Sequence, residues 1–220
     1  MCTAVSSTVN ADEFDWQVVK TKGDVTVSQS SVEDSPFKIS RGVMLSEAGM
    51  FDVLSVLRDV SACSKWLHKC KSGRIIEELG VSGAIYHTVI DSPLMLKDRE
   101  TYVRSTIAYF PDLKELRIDM EGVEDIAPLD KKRVRVLDFK GYWLIEQHES
   151  EHIQLTYEVH MDPQVGAVRA ANSTLATSVL ETMINVDRLA REEPYRDSSV
   201  SAERLDQITQ PAQPHGGKQN

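Results

Sequence analysis

From about residue 166 to 191 the chain carries one apolar stripe at helical spacing. Val168, Ala171, Leu175, Val179, Met183, Val186 and Leu189 recur in steps of three and four. Thr174, Ser178, Glu181, Asn185 and Arg188 fall off the stripe. A long one-sided helix cannot leave such a stripe in water, so it needs a large apolar partner. The preceding sequence offers one kind of partner. From Gly73 to Met161 the pattern is β: RIIEELGV, GAIYHTVID, RETYVRSTIAYF, LKELRIDMEGV, RVRVLDFKGYWLIEQ and HIQLTYEVHM, punctuated by Gly80, Gly83, Pro93 and Pro111-Asp112. Asp162-Pro163 ends the last strand, because proline has no N–H for a ladder.

The N-terminal part is shorter in period. DWQVVKTKGDVTVSQS reads as a hairpin turning at Lys22-Gly23-Asp24, and FKISRGVML (37–45) as a third strand. Ser46 is a candidate cap for a helix carrying Phe51, Leu54, Leu57 and Val60, and SKWLHKC (64–70) for a second, short helix starting at Ser64. Three strands, two helices, about six strands and one long helix predict an α+β fold: a curved antiparallel sheet wrapped around the last helix. That arrangement leaves a space between sheet and helix, where a binding site is expected. The single domain should span 13–192. Residues 1–12 are small and polar, and 193–220 are rich in Ser, Gln, Pro and Gly, so both ends are expected to be disordered.

Composition removes several function classes. At 41% hydrophobic and 27% charged the chain is globular. A net charge of -9 speaks against a nucleic-acid partner, which needs a basic face. No apolar run approaches the roughly 20 residues of a membrane span. The N-terminus lacks the basic and apolar regions of a signal peptide, which predicts a cytoplasmic protein. Walker A, GxGxxG, GxSxG and HExxH motifs are absent, and no cofactor is expected. Three cysteines do not make a disulfide framework; Cys63 and Cys70 are expected as small buried thiols in a reducing compartment, and with His68 they lack the CxxC spacing of a zinc site.

Residues 141–163 hold His148, His152 and His160 among several glutamates. Alternation puts Ile153, Leu155, Tyr157, Val159 and Met161 on one face, and Gln154, Thr156, Glu158 and His160 on the other. His152 and His160 are then roughly 27 Å apart at ~3.3 Å per residue, which rules out three-histidine coordination on a continuous strand. At most a weak two-histidine surface site remains at the turn, and no metal is assigned. The apolar face should meet the helix, making Tyr157 the best aromatic candidate for the cavity wall.

Four stretches carry a family resemblance: DWQVVKTKGDVTV, LKDRETYVRSTIAYF, VRVLDFKGYWLIEQ and LTYEVHMDPQVGAVRAANS. In that order and spacing, over about 14–191, the chain resembles the START domain, the lipid-transfer module related to the steroidogenic acute regulatory protein. The resemblance implies a helix-grip fold with an internal tunnel for a sterol, phospholipid or other lipid-like ligand, and a transient membrane contact. Some members hold a buried acid–arginine pair in the tunnel. Arg104 falls at the arginine position, while the acid position falls near Thr88, with Asp91 as a displaced acid. Arg104, then Tyr102, His87 and Tyr157, would orient the ligand head. The family's mobile loop corresponds to SPLMLKD (92–98), where Leu94, Met95 and Leu96 would pack on Val179 and Met183, either as a gate or as static packing. This chain has Arg99-Glu100 where the family has Arg-Asp, a shorter interval to its second arginine, and Gln164-Val165-Gly166 where many members have Gly-Gly.

Two other function classes stand beside lipid transport, sequestration or sensing. Relatives in the wider helix-grip (Bet v 1-like) group include cyclases and dehydratases, and a cavity His87 with a tyrosine or carboxylate would suit acid–base work. The polar tail would suit a protein-interaction module. Oligomeric state is left open.

Overall fold

The first hairpin turns at Gly23, whose φ of +58° is a left-handed conformation that glycine adopts without a Cβ penalty. The computed structural model describes residues 14–92, 96–148 and 152–210. The strands are β1 (Gln17–Lys22), β2 (Val25–Val32), β3 (Ser35–Ser46), β4 (Cys70–Glu78), β5 (Gly83–Ile90), β6 (Arg99–Phe110), β7 (Glu115–Gly122), β8 (Val134–Arg135), β9 (Phe139–Gln147) and β10 (Ile153–Met161). The helices are α1 (Met50–Arg58), α2 (Cys63–Trp66), α3 (Val168–Ala190) and α4 (Ala202–Ile208). The sheet runs β1-β2-β3-β10-β9-β7-β6-β5-β4, antiparallel at each step. Short β8 pairs in parallel with the start of β6, beyond the point where β7 has left it.

The stripe on α3 packs as its spacing requires. Leu175, Val179, Met183, Val186 and Leu189 are all buried. It comes close to the sheet at Gly42 of β3, where an added Cβ would stand 2.2 Å from Met183 Sδ and 2.8 Å from Val179 Cγ1. The missing side chain lets helix and sheet meet there. Ala176, Leu180 and Ala190, outside the stripe, are buried too, because α1 and the β1–β2 hairpin flank the same helix. Asp187 is buried as well, its Oδ1 accepting from Ser46 Oγ at 2.5 Å.

Three local expectations are corrected. Ser46 does not cap α1: its hydroxyl accepts from Ala48 N and ties β3 to α3, while Gly49 is the N-cap, its own N–H donating to Asp52 Oδ2. The second helix stops at Trp66 because the chain turns back into β4 at Cys70. That turn brings the Cα atoms of Cys63 and Cys70 to 5.8 Å, and the two sulfurs form a disulfide rather than free thiols.

A fourth difference concerns the tail. Residues 193–210, expected to be disordered, follow the domain surface. Tyr195 is buried and its hydroxyl donates to Asp59 Oδ2 at 2.8 Å; Ser198 N donates to Asp52 Oδ1 at 2.7 Å. Ser201 caps α4, Ile208 is buried, and Gln210 N donates to Tyr109 O. The polar composition hid three apolar anchors, Tyr195, Leu205 and Ile208. Burial, with Asp59 beside it, pushes the Tyr195 phenol up to about 12. Tyr195→Phe should lower stability by about 1 kcal/mol, the usual worth of one such bond, read as a shift in urea midpoint. The expected disorder of 1–12 and of 211–220 lies outside the described residues.

Candidate functional site: a cavity between sheet and helix

Between the inner face of the sheet and α3 lies a cavity of about 420 Å³. Small-molecule sites run from roughly 300 to 1,000 Å³. Along β5 it reaches from Gly83 to Ile90, about 23 Å at ~3.3 Å per residue. Alternation decides which side chains face it. On β5 these are Ala84, Tyr86, Thr88 and Ile90; on β6, Arg99, Thr101, Val103, Ser105 and Ile107; on β10, Tyr157, Val159 and Met161. Ala171, Leu175 and Val179 of α3 close the opposite wall.

The lining is mostly apolar, with a few polar groups. Thr88 and Thr101 share a hydroxyl bond of 2.7 Å across β5 and β6. Tyr157, as expected, forms part of the wall, its ring stacked on Trp143 at 4.2 Å. Tyr86 donates to Met120 Sδ at 3.4 Å. Burial pushes both phenols far above their ordinary value, for Tyr86 with Tyr157 adding to it, so both stay protonated at neutral pH. His68 also lines the cavity, its pKa lowered by burial and then by Lys69, against Glu181. Arg99 lines the end at Ile90, its guanidinium lowered from its ordinary value by burial, against the opposing pull of Asp98.

Three of the expected ligand-orienting residues point the other way. Arg104 is exposed on the outer face of the sheet, in a shallow groove with Arg117, Tyr142 and Glu158. It stands five residues from Arg99, and an odd interval on a strand reverses the face. Ser105 takes the inward position instead. Tyr102 and His87 are likewise on the outer face, where His87 stacks on Tyr102 at 4.5 Å. Asp91 lies at the cavity rim, but its partner is Lys71 at 2.6 Å, not Arg104.

A buried acid–arginine pair does exist, outside the cavity. Glu100 accepts from Arg135 at 2.6 Å and bonds His87 Nε2 at 3.0 Å, with Arg133 at 3.4 Å. Arg135 lies 4.5 Å over the Tyr102 ring and donates to Ala127 O and Pro128 O, so the segment between β7 and β9 folds over this cluster.

The expected gate is described only in part. Leu94 and Met95 lie outside the described residues. Leu96 lines the cavity yet is 53% exposed. Val179 and Met183 pack on Gly42 of β3. On β10 the alternation holds: Glu158 and His160 line the outer groove, where His160 Nε2 bonds Ser35 Oγ at 3.0 Å.

Sequence reasoning missed Arg99, Tyr86, Thr88, Thr101 and Trp143 as cavity groups. The available signal was parity: Arg99 and Thr101 share the register of Val103 and Ile107.

No family model matches the chain. It is 27% identical over 176 residues to an uncharacterised protein of Pseudomonas aeruginosa, covering 79% of this chain and 86% of that one. Among solved structures it is similar to a STAR-related lipid transfer protein fragment from Xanthomonas axonopodis, with TM-score 0.73 and 23% identity over 80% of this chain and 99% of that one. Human StAR-related lipid transfer protein 5 gives TM-score 0.73 and 16% identity over 82% and 88% of the two chains. Human STARD10 gives 0.70 and 18% over 81% and 74%. With a nine-strand antiparallel path closed on one long C-terminal helix, and these neighbours, the chain has the START-domain, helix-grip fold.

Proposed function

We propose that this protein binds a lipid-like amphipath in the cavity between sheet and α3 and carries, sequesters or senses it. The observation that carries the reading is the cavity itself: about 420 Å³, long, apolar along its walls and polar at few points. Its affinity would come chiefly from buried apolar area, on the order of 25 cal/mol per Å² before binding costs. The fold of proteins named for lipid transfer supports the same reading.

A transient contact with a membrane surface fits the cavity end near Arg99. Leu96 is exposed there, and Lys97 Nζ donates to Lys131 O, bringing up the Lys131-Lys132-Arg133 run, which follows the exposed Leu129 in sequence. No helix among the described residues is long and apolar enough to cross a membrane. The acid–base reading has less support, since His87 faces away from the cavity and the two cavity phenols hold their protons. The interaction-module reading is weakened along 193–210, where the chain is packed on its own domain.

Native mass spectrometry of protein purified from its host should show a co-purifying mass of lipid size that organic extraction removes. Protein that carries no such mass, and binds no added amphipath, would sink the reading.

A further inference from the structure

Of the cations lining the cavity, Arg58, Lys69 and Arg99, Arg99 alone stands within a strand, opposite Ile90 and on the same inner face as Val103 and Ile107. Its bonds are all to neutral acceptors. Nε donates to Pro163 O at 3.2 Å, and Nη1 donates to Ser92 Oγ at 3.1 Å and to Lys97 O at 2.7 Å. A guanidinium has five N–H donors. Three are used, and Nη2 takes no partner among the described residues.

The neighbouring carboxylates are already engaged. Lys71 holds Asp91 at 2.6 Å and Asp98 at 3.0 Å, and Asp98 also accepts from Ser92 N. No carboxylate pairs with Arg99 among the described residues. A partly desolvated positive charge whose hydrogen-bond acceptors are all neutral, with Asp98 acting on it only through space, is incompletely compensated, and an anion supplied from the cavity would complete it. Guanidinium matches the oxygens of carboxylate and phosphate better than it matches a neutral hydroxyl.

We propose that Arg99 makes the cavity selective for anionic amphipaths, with a carboxylate or phosphate-monoester head at Arg99 and the apolar tail running toward Val103, Ile107 and Leu175. This rests on the lipid-binding reading above. The fixed neutral acceptors hold the guanidinium in place before the ligand arrives, so little ordering is left for binding to do.

The test uses three probes with one tail, laurate, dodecyl phosphate and dodecanol, titrated into the delipidated full-length protein. The wild type should bind at least one anion about tenfold or more tightly than dodecanol, as a charge-assisted contact predicts. Which anion is preferred separates the carboxylate from the phosphate head. Arg99→Gln should erase the preference while dodecanol binding stays within about twofold, which also shows that the variant is folded. Arg99→Lys should restore part of the preference. Equal binding of all three probes by the wild type overturns the inference and leaves the lipid-binding reading intact. So does an Arg99→Gln variant that keeps the preference. If no probe binds the wild type, both fall.

Discussion

Glu100→Ala is expected to lower folding stability by about 3–5 kcal/mol, the cost of stranding a buried charge. Glu100 is 2% exposed, and its carboxylate is the counter-charge of Arg135, which is 7% exposed. Removing it leaves a guanidinium with two backbone acceptors and the Tyr102 ring. The loop between β7 and β9, held by those same contacts, should loosen with it. Pairing Glu100→Ala with Arg135→Leu should recover part of the loss, because a packed apolar pair can replace a buried ion pair. Urea midpoints of the single and double variants decide this. A single variant within about 1 kcal/mol of wild type would mean the cluster is solvated in solution.

The same cluster sets a pH dependence. Burial pushes the Glu100 carboxyl up, but Arg135 and His87 outweigh it and leave it below its ordinary value of 4.5. Its stabilisation is then present above that value and lost as pH falls through the lower folded one. His87 is lowered, chiefly by burial and against Glu100, so its neutral ring donates from Nε2 to Glu100. A histidine lowered in the folded state takes up fewer protons than in the unfolded state. Stability should therefore start to fall as pH drops below 6.5, the ordinary histidine value, and fall again in acid when Glu100 protonates. The gap between wild type and Glu100→Ala should narrow below about pH 4.

The elements were legible where one face alone is buried. The α3 stripe and the inner face of β10 are examples, since periods of 3.6 and 2 encode such faces directly. Strand β6 defeats that reading because both faces are covered. Val103 and Ile107 face the cavity, while Glu100 and Tyr102 are buried under the segment around 127–135. Alternation alone could separate Arg99 from Arg104, but it could not say which was inside. Nothing local predicts that a polar loop will cover a glutamate. The Cys63–Cys70 bond and the docking of Tyr195 on Asp59 escape for a related reason. Both depend on turns whose direction tertiary packing decides.

Val103→Trp is expected to empty the cavity while leaving the fold in place. Val103 sits in the middle of β6, opposite Tyr86 of β5 and Gly122 of β7, and faces the cavity. Val103 lines the void directly, so an indole can extend into the cavity rather than into packed atoms. The cost should stay below the roughly 1–3 kcal/mol of an overpacked core, because the added volume meets a void. The ligand tail loses the same volume. Excluding about four methylenes at ~0.8 kcal/mol each removes some 3 kcal/mol, or roughly two orders of magnitude in affinity. The co-purifying mass should disappear from native spectra and laurate and dodecanol should fail alike, with the melting temperature shifted by only a few degrees. That pattern differs from Arg99→Gln, which spares the neutral probe. A Val103→Trp protein that still carries its full ligand load would place binding outside this cavity.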